Sequence, residues 1–219
     1  ISEKKSYTPP AAKTLRFLSV PLSQCNIIIL GQDPYPQEGV ATGRAFEVGT
    51  LHSWNEKFNN VSLKNIVRAI YQAYQGETKK FSEIKKEFTE GNLLFKDPNK
   101  ANFSILPPDQ LFDSWEKQGV LLLNTSFTCQ INQPGSHRKV WHPFTKALLS
   151  FIAHNHPDIT WFLWGNHAHS ISADLKLKYY YQSAHPMICY DKPERTDDFL
   201  FGETNMFQDT SHLINWKGK

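Results

Sequence analysis

Asn26-Ile27-Ile28-Ile29-Leu30-Gly31-Gln32-Asp33-Pro34-Tyr35 decides how this chain is read. Asn26–Leu30 is a short, continuous, β-branched apolar run stopped by a glycine, the mark of a strand covered on both faces. Three later segments share that character: Val120–Asn124, Thr160–Trp164 and, more weakly, Tyr179–Ser183. Helical patterns separate them. Leu63, Ile66, Val67 and Ile70 recur at helical spacing behind Ser62, which can cap a helix. Phe144, Ala147, Leu148 and Phe151 do the same before Asn155. Strands alternating with helices predict an α/β fold: a central, mostly parallel four-stranded sheet flanked by helices on both faces, a three-layer α/β/α arrangement.

The 219 residues carry a formal net charge of +3, which permits a polyanionic partner without demanding one. That length suits a single domain, 1–219. Residues 1–15 are polar with paired prolines and read as an arm. Residues 75–110 show poor periodicity apart from a short helix around Phe81–Phe88, and read as a surface insertion. Three scattered cysteines form neither a disulfide framework nor a zinc or iron–sulfur set, so reduced thiols in an intracellular protein are expected. No HExxH or Cys/His ligand spacing occurs, and no metal or cofactor is expected. No apolar run has the roughly 20 residues of a membrane span. The chain begins at Ile1 rather than Met, which leaves a preceding segment open.

In open α/β sheets ligands bind beyond the carboxyl ends of the strands. Asp33 and Tyr35 follow the first strand, Asn124 ends the second, Gly165-Asn166 follows the third, and His185 lies two residues beyond Ser183. Each alone is an ordinary turn or cap residue. Together they define an enzyme or binding site of unspecified chemistry.

Four ordered motifs narrow this. Gly31-Gln32-Asp33-Pro34-Tyr35 continues through Gly39 and Gly43 to Phe46. Gln118–Asn124 is extended by Ser136-His137 and Trp141. Leu163-Trp164-Gly165 and Ala184-His185-Pro186 follow. With Thr204-Asn205 and Ile214-Asn215-Trp216, the chain resembles the family 1 uracil-DNA glycosylases from about Leu22 to Trp216. The resemblance implies hydrolysis of the N-glycosidic bond of a flipped-out deoxyuridine, leaving an abasic site, as in base excision repair. Phe46 would stack on the uracil, and Asn124 would read N3–H and O4 with its donor and acceptor. Tyr35 would exclude a thymine methyl. Asp33 would orient the attacking water and stabilise the cationic sugar. His185 would donate to uracil O2, as preorganised donors do at about 3–4 kcal/mol each. Gln32 would act near the base through its backbone. Ser62, His137, Gly165, Asn166 and Ser183 would hold the DNA backbone.

Two departures mark a divergent member. Pro36 stands where the family has His. The run after His185 is Pro186-Met187-Ile188-Cys189-Tyr190, where the family has a leucine wedge. Cys189 aligns with that wedge by counting, while Met187, Ile188 or Tyr190 suits insertion between bases chemically. The resemblance implies uracil-containing single- and double-stranded DNA as substrate. A monomer is expected because no heptad or unexplained apolar face stands out, and the changed loop after His185 would weaken binding of the DNA-mimic inhibitor proteins that bind family members there. A cytoplasmic place is implied in a bacterium, a nuclear or mitochondrial one in a eukaryote. The rivals are a non-catalytic DNA-binding relative, an enzyme for another deaminated base, and a small-molecule nucleotide hydrolase. The last lacks a phosphate-gripping glycine loop.

Overall fold

The computed structural model describes residues 6–90 and 103–218. In chain order its elements are β1 (Tyr7–Thr8), α1 (Ala11–Thr14), 3-10 turns at Arg16–Ser19 and Leu22–Gln24, β2 (Ile27–Gly31), α2 (Val61–Gln75), α3 (Phe81–Glu90), α4 (Pro108–Lys117), β3 (Val120–Asn124), β4 (Cys129–Gln130), α5 (Arg138–Asn155), β5 (Thr160–Trp164), α6 (Gly165–Ser172), β6 (Tyr179–Ser183) and α7 (Met206–Asp209). The expected α/β sheet is present, in the order β3-β2-β5-β6 and flanked by helices. β2 runs parallel to both neighbours. Its register with β3 goes from Ile27 opposite Val120 to Gly31 opposite Asn124, and with β5 from Ile27 opposite Thr160 to Leu30 opposite Leu163. The carboxyl ends of three strands therefore come level.

Contacts divide the chain into two compact units, Ile1–Thr50 with Glu116–Gln182, and Leu51–Trp115 with Ser183–Lys219. In the first, Ile28, Leu30, Leu121, Leu123, Trp161 and Leu163 pack with Leu149 and Ile152 of α5. The alternate residues Ile27, Ile29, Leu122 and Phe162 are buried as well, as a strand covered on both faces requires. The helix expected around Phe144–Phe151 forms, but its inward face is shifted from the expected stripe, of which Leu148 packs against the core and Phe144 meets Phe127 edge-on. Thr145, Leu149 and Ile152 are buried, while Phe144 and Phe151 are exposed. Aromatic bulk at helical spacing outweighed the true stripe, whose inward position 145 is a threonine. The Thr145 hydroxyl donates to the Thr125 carbonyl at 2.6 Å, which lets it sit in the core. Of the arm expected at 1–15, residues 1–5 lie outside the described residues, and the rest holds β1 and α1. β1 pairs antiparallel with β4, and Thr8 is buried.

The second unit is built on aromatic rings. Phe112, Trp115, Trp216, Phe207 and Phe199 follow one another with centroids 4.9, 5.4, 5.0 and 6.2 Å apart. The indole N–H of Trp115 donates to the Trp216 carbonyl, and that of Trp216 to the Thr210 hydroxyl, so neither polar edge is stranded. α2 starts at Val61 with Asn60 as its cap. Ser62 is thus inside the first turn rather than at the cap, because Asn60 is the last residue with extended backbone. Within the expected insertion, α3 buries Ile84, and Trp54 meets Phe81 and Phe88 edge-on or tilted. The centre of that insertion, 91–102, lies outside the described residues. No helix among the described residues is long and apolar enough to cross a membrane.

Candidate active site

The site begins with a missing side chain. A Cβ on Gly31 would lie 2.5 Å from Asn124 Oδ1 and 2.6 Å from Ala45 Cβ. Only glycine at the end of β2 lets the Asn124 amide stand beside it at the end of β3. Asn124 is buried, yet its side chain makes no hydrogen bond to another described residue. A buried amide with donor and acceptor both unused is costly unless something else completes it.

Beyond Gly31 the backbone is bolted to the segment after β3. The Gly31 carbonyl accepts from Thr125 N–H at 3.0 Å, Gln32 from Ser126 N–H at 2.9 Å, and Pro36 from Asn132 N–H at 2.9 Å. Cys129 Sγ donates to the Pro34 carbonyl at 3.6 Å. Its thiol is pushed up to about 11, by burial first and then by the Asp33 charge, so it keeps the proton it donates. Asp33 projects from this clamped loop. Its Oδ2 pairs with Arg138 Nη2 at 2.9 Å, whereas Oδ1 is buried and has no partner among the described residues.

Phe46 takes φ +64°, a left-handed conformation that costs a bulky residue of order 1–3 kcal/mol. The surroundings impose it. Arg44 is buried and makes a bidentate bond to Glu116, at 2.8 and 2.7 Å, and a third bond to Glu47 at 3.0 Å. Thr42 also donates to Glu47. The ring of Phe46 lies 5.1 Å from that of Trp164, at the end of β5. Tyr35 and Gln32 are half-buried on the clamped loop. Gly165 is the buried first residue of α6 and Asn166 is exposed. His137 is held by Thr128, Nδ1 to Oγ1 at 2.8 Å, which ties it to the fold.

Sequence reasoning missed Arg138 and His167. Both sit beside motif residues, Arg138 directly after Ser136-His137 and His167 two past Gly165, and that adjacency was the available signal. The Thr125 hydroxyl donates to the Gln32 carbonyl at 3.1 Å and lies 2.7 Å from His167 Nε2. A hydroxyl has one proton, so Nε2–H of His167 is the donor to it. Burial, then the Arg138 charge, lower the His167 pKa and keep the ring neutral.

The remaining expected residues belong to the second unit. His185 follows β6, and its Nδ1 accepts from Met187 N–H at 3.1 Å. The neutral ring then carries its proton on Nε2, and burial lowers its pKa below the ordinary 6.5. Met187, Ile188 and Tyr190 are exposed. Cys189 turns inward: Sγ donates to the Pro186 carbonyl at 3.4 Å and burial pushes the thiol up to about 12. Ser183 is buried, its hydroxyl donating to the Ala184 carbonyl at 3.0 Å. Ser62 is half-buried in α2.

The site thus combines a clamped strand-end loop with a carboxylate, a buried amide beside Gly31 and an aromatic ring on strained backbone. The family model described as "Uracil DNA glycosylase superfamily" matches residues 19–205, and the chain belongs to that superfamily. It is 29% identical over 215 residues to a uracil-DNA glycosylase of Parafrankia sp., covering 98% of this chain and 79% of that one. It is 30% identical over 219 residues to one of Amoebophilus asiaticus, covering 97% and 82%. The crystal structure of mimivirus uracil-DNA glycosylase superposes with a TM-score of 0.59 at 26% identity, covering 84% of this chain and 58% of that one. A variant of the mimivirus enzyme has been solved with UGI. The wild-type UNG of Nitratifractor salsuginis has the same fold, with a TM-score of 0.61 at 22% identity and coverage of 84% and 74%.

Two outcomes are expected. Arg44→Ala strands Glu47 without its buried partner and lowers stability by about 3–5 kcal/mol in urea unfolding; a loss under about 1 kcal/mol would contradict the clamp. His185 titrates below 6.5 when followed by proton NMR. Its contribution to stability is then present above 6.5 and lost as pH falls through the folded value. A midpoint at or above 6.5 would contradict the burial.

Proposed function

We propose that this protein hydrolyses the N-glycosidic bond of deoxyuridine flipped out of DNA, releasing uracil and leaving an abasic site. The observation that carries this reading is the unspent Asn124 amide beside a carboxylate loop. Uracil presents a donor at N3 and an acceptor at O4, the complement of that amide. Cytosine presents an acceptor and an amino donor instead and is mismatched. Phe46 stacks on the ring, and Tyr35 fills the space a thymine methyl would need. Gln32 contributes its backbone near the base.

The reaction needs a water and stabilisation of two opposite charges. The unpartnered Oδ1 of Asp33 orients the water, and its negative charge favours the oxocarbenium-like sugar. His185, neutral and protonated on Nε2, donates to uracil O2 as charge develops there; this role rests on its motif and its tautomer. Ser62, His137, Gly165, Asn166 and Ser183 serve the DNA backbone. Met187 and Ile188, both exposed, fill the gap left by the flipped base, a role for which inward-turned Cys189 is unsuited. The substrates are uracil-containing single- and double-stranded DNA, and the protein acts as a monomer. It works inside the cell where DNA is kept, in the cytoplasm of a bacterium or the nucleus or mitochondrion of a eukaryote.

Incubation with single- and double-stranded DNA carrying one uracil, followed by alkaline cleavage, gives a strand break at that position. No break at equimolar protein sinks the reading. Asp33→Asn and His185→Ala each lower turnover by at least about a hundredfold, with circular dichroism unchanged. Asn124→Asp weakens discrimination against cytosine; unaltered selectivity means another residue reads the base. The altered loop after His185 weakens a DNA-mimic inhibitor such as UGI, and tight stoichiometric inhibition would show that it does not.

A further inference from the structure

Arg138 is the first residue of α5, and the reading above gives it no task. Its Nη2 lies 2.9 Å from Asp33 Oδ2. The two partners differ in exposure: the Asp33 side chain is 9% exposed and that of Arg138 47%. A guanidinium has five N–H donors, and the rest of this one has no acceptor among the described residues. Gly135 lies beside it, with φ +78°. A Cβ on Gly135 would fall 2.9 Å from Nη2, so the guanidinium passes close over that turn, and its side chain stays free enough to swing to another partner. Lys139 and His142 are exposed in the same turns of the helix.

The ion pair is at odds with the work assigned to Asp33. A carboxylate that stabilises a positive sugar is weakened by a permanent cation against its other oxygen. An anion arriving with the substrate resolves the conflict, because planar guanidinium binds phosphate in the fork geometry it uses for carboxylate.

We propose that Arg138 is a phosphate-binding positioning residue. It pairs with Asp33 in the free protein and exchanges to a DNA backbone phosphate when substrate binds. The exchange leaves the Asp33 charge for the reacting sugar and makes its release conditional on DNA being seated. The ligand class is a phosphodiester of the strand that carries the uracil. This inference rests on the excision reading for the role of Asp33, but its first test does not require turnover.

Binding to a duplex carrying a non-hydrolysable 2′-fluorinated deoxyuridine is followed by fluorescence anisotropy across a salt series. Arg138→Gln makes the slope of log affinity against log salt shallower by about 0.9, the value of one phosphate contact on duplex DNA. Arg138→Lys keeps the wild-type slope. Replacing phosphates one at a time with neutral methylphosphonates identifies one linkage whose neutralisation weakens the wild type but not Arg138→Gln. In steady-state excision, Arg138→Gln raises KM about tenfold and does not lower kcat. Equal salt slopes for wild type and Arg138→Gln, or a wild type that does not bind, overturn the inference. So does a fall in kcat at unchanged KM, which assigns Arg138 to orienting Asp33 alone. Failure of the wild type to excise uracil sinks the excision reading instead, while the binding series still decides the role of Arg138.

Discussion

The close approach of Gly31 to Asn124 is the contact on which the site depends. Parallel pairing brings the ends of β2 and β3 level, and at that point one strand has no side chain. The space is taken by the amide of the other strand and bounded by Ala45. Ala45 in turn donates its N–H to the Leu122 carbonyl at 3.2 Å, which lays the loop before Phe46 along β3. The buried Asn124 amide, the carboxylate loop and the strained backbone at Phe46 are thus fixed to one another through backbone. Recognition at such a site needs little rearrangement, so binding energy is not spent on ordering the protein.

Backbone accounting explains why the loop beyond Gly31 holds its shape although it is neither strand nor helix. Carbonyls of residues 31, 32, 34 and 36 each find a donor in the segment 125–132. Pro34 and Pro36 have no N–H to satisfy, so the prolines lower the number of groups that need partners. The proline in place of the family's histidine after Tyr35 therefore keeps the loop's anchorage while removing a polar side chain.

Much of this was legible in the sequence because the strands are short apolar runs and the chemistry follows them directly. The sheet, its helical partners and the residues of the first motif could be read from spacing and type. Three things could not. The centre of the inward face of α5 was hidden because it holds Thr145, while the larger Phe144 and Phe151 stay exposed, and size says nothing of direction. The pairing of β1 with β4 joins residues more than a hundred positions apart, beyond the reach of local pattern. Arg138 and His167 matter through partners distant in sequence, Asp33 and Thr125, and a lone Arg or His carries no local mark of such a partner.

The segment after His185 has one further consequence. Its shape is set from below by Asp198, whose buried carboxylate accepts from the N–H groups of Tyr190, Leu200 and Phe201 and lies 3.6 Å from Arg195. Arg195 also covers the ring of Tyr190, 5.2 Å from its centroid. None of these bonds uses the side chains of Met187 or Ile188. Shape and surface identity are accordingly separate inheritances in this loop. The exposed side chains of Met187 and Ile188 can therefore be exchanged without touching the bonds by which one buried carboxylate shapes the loop.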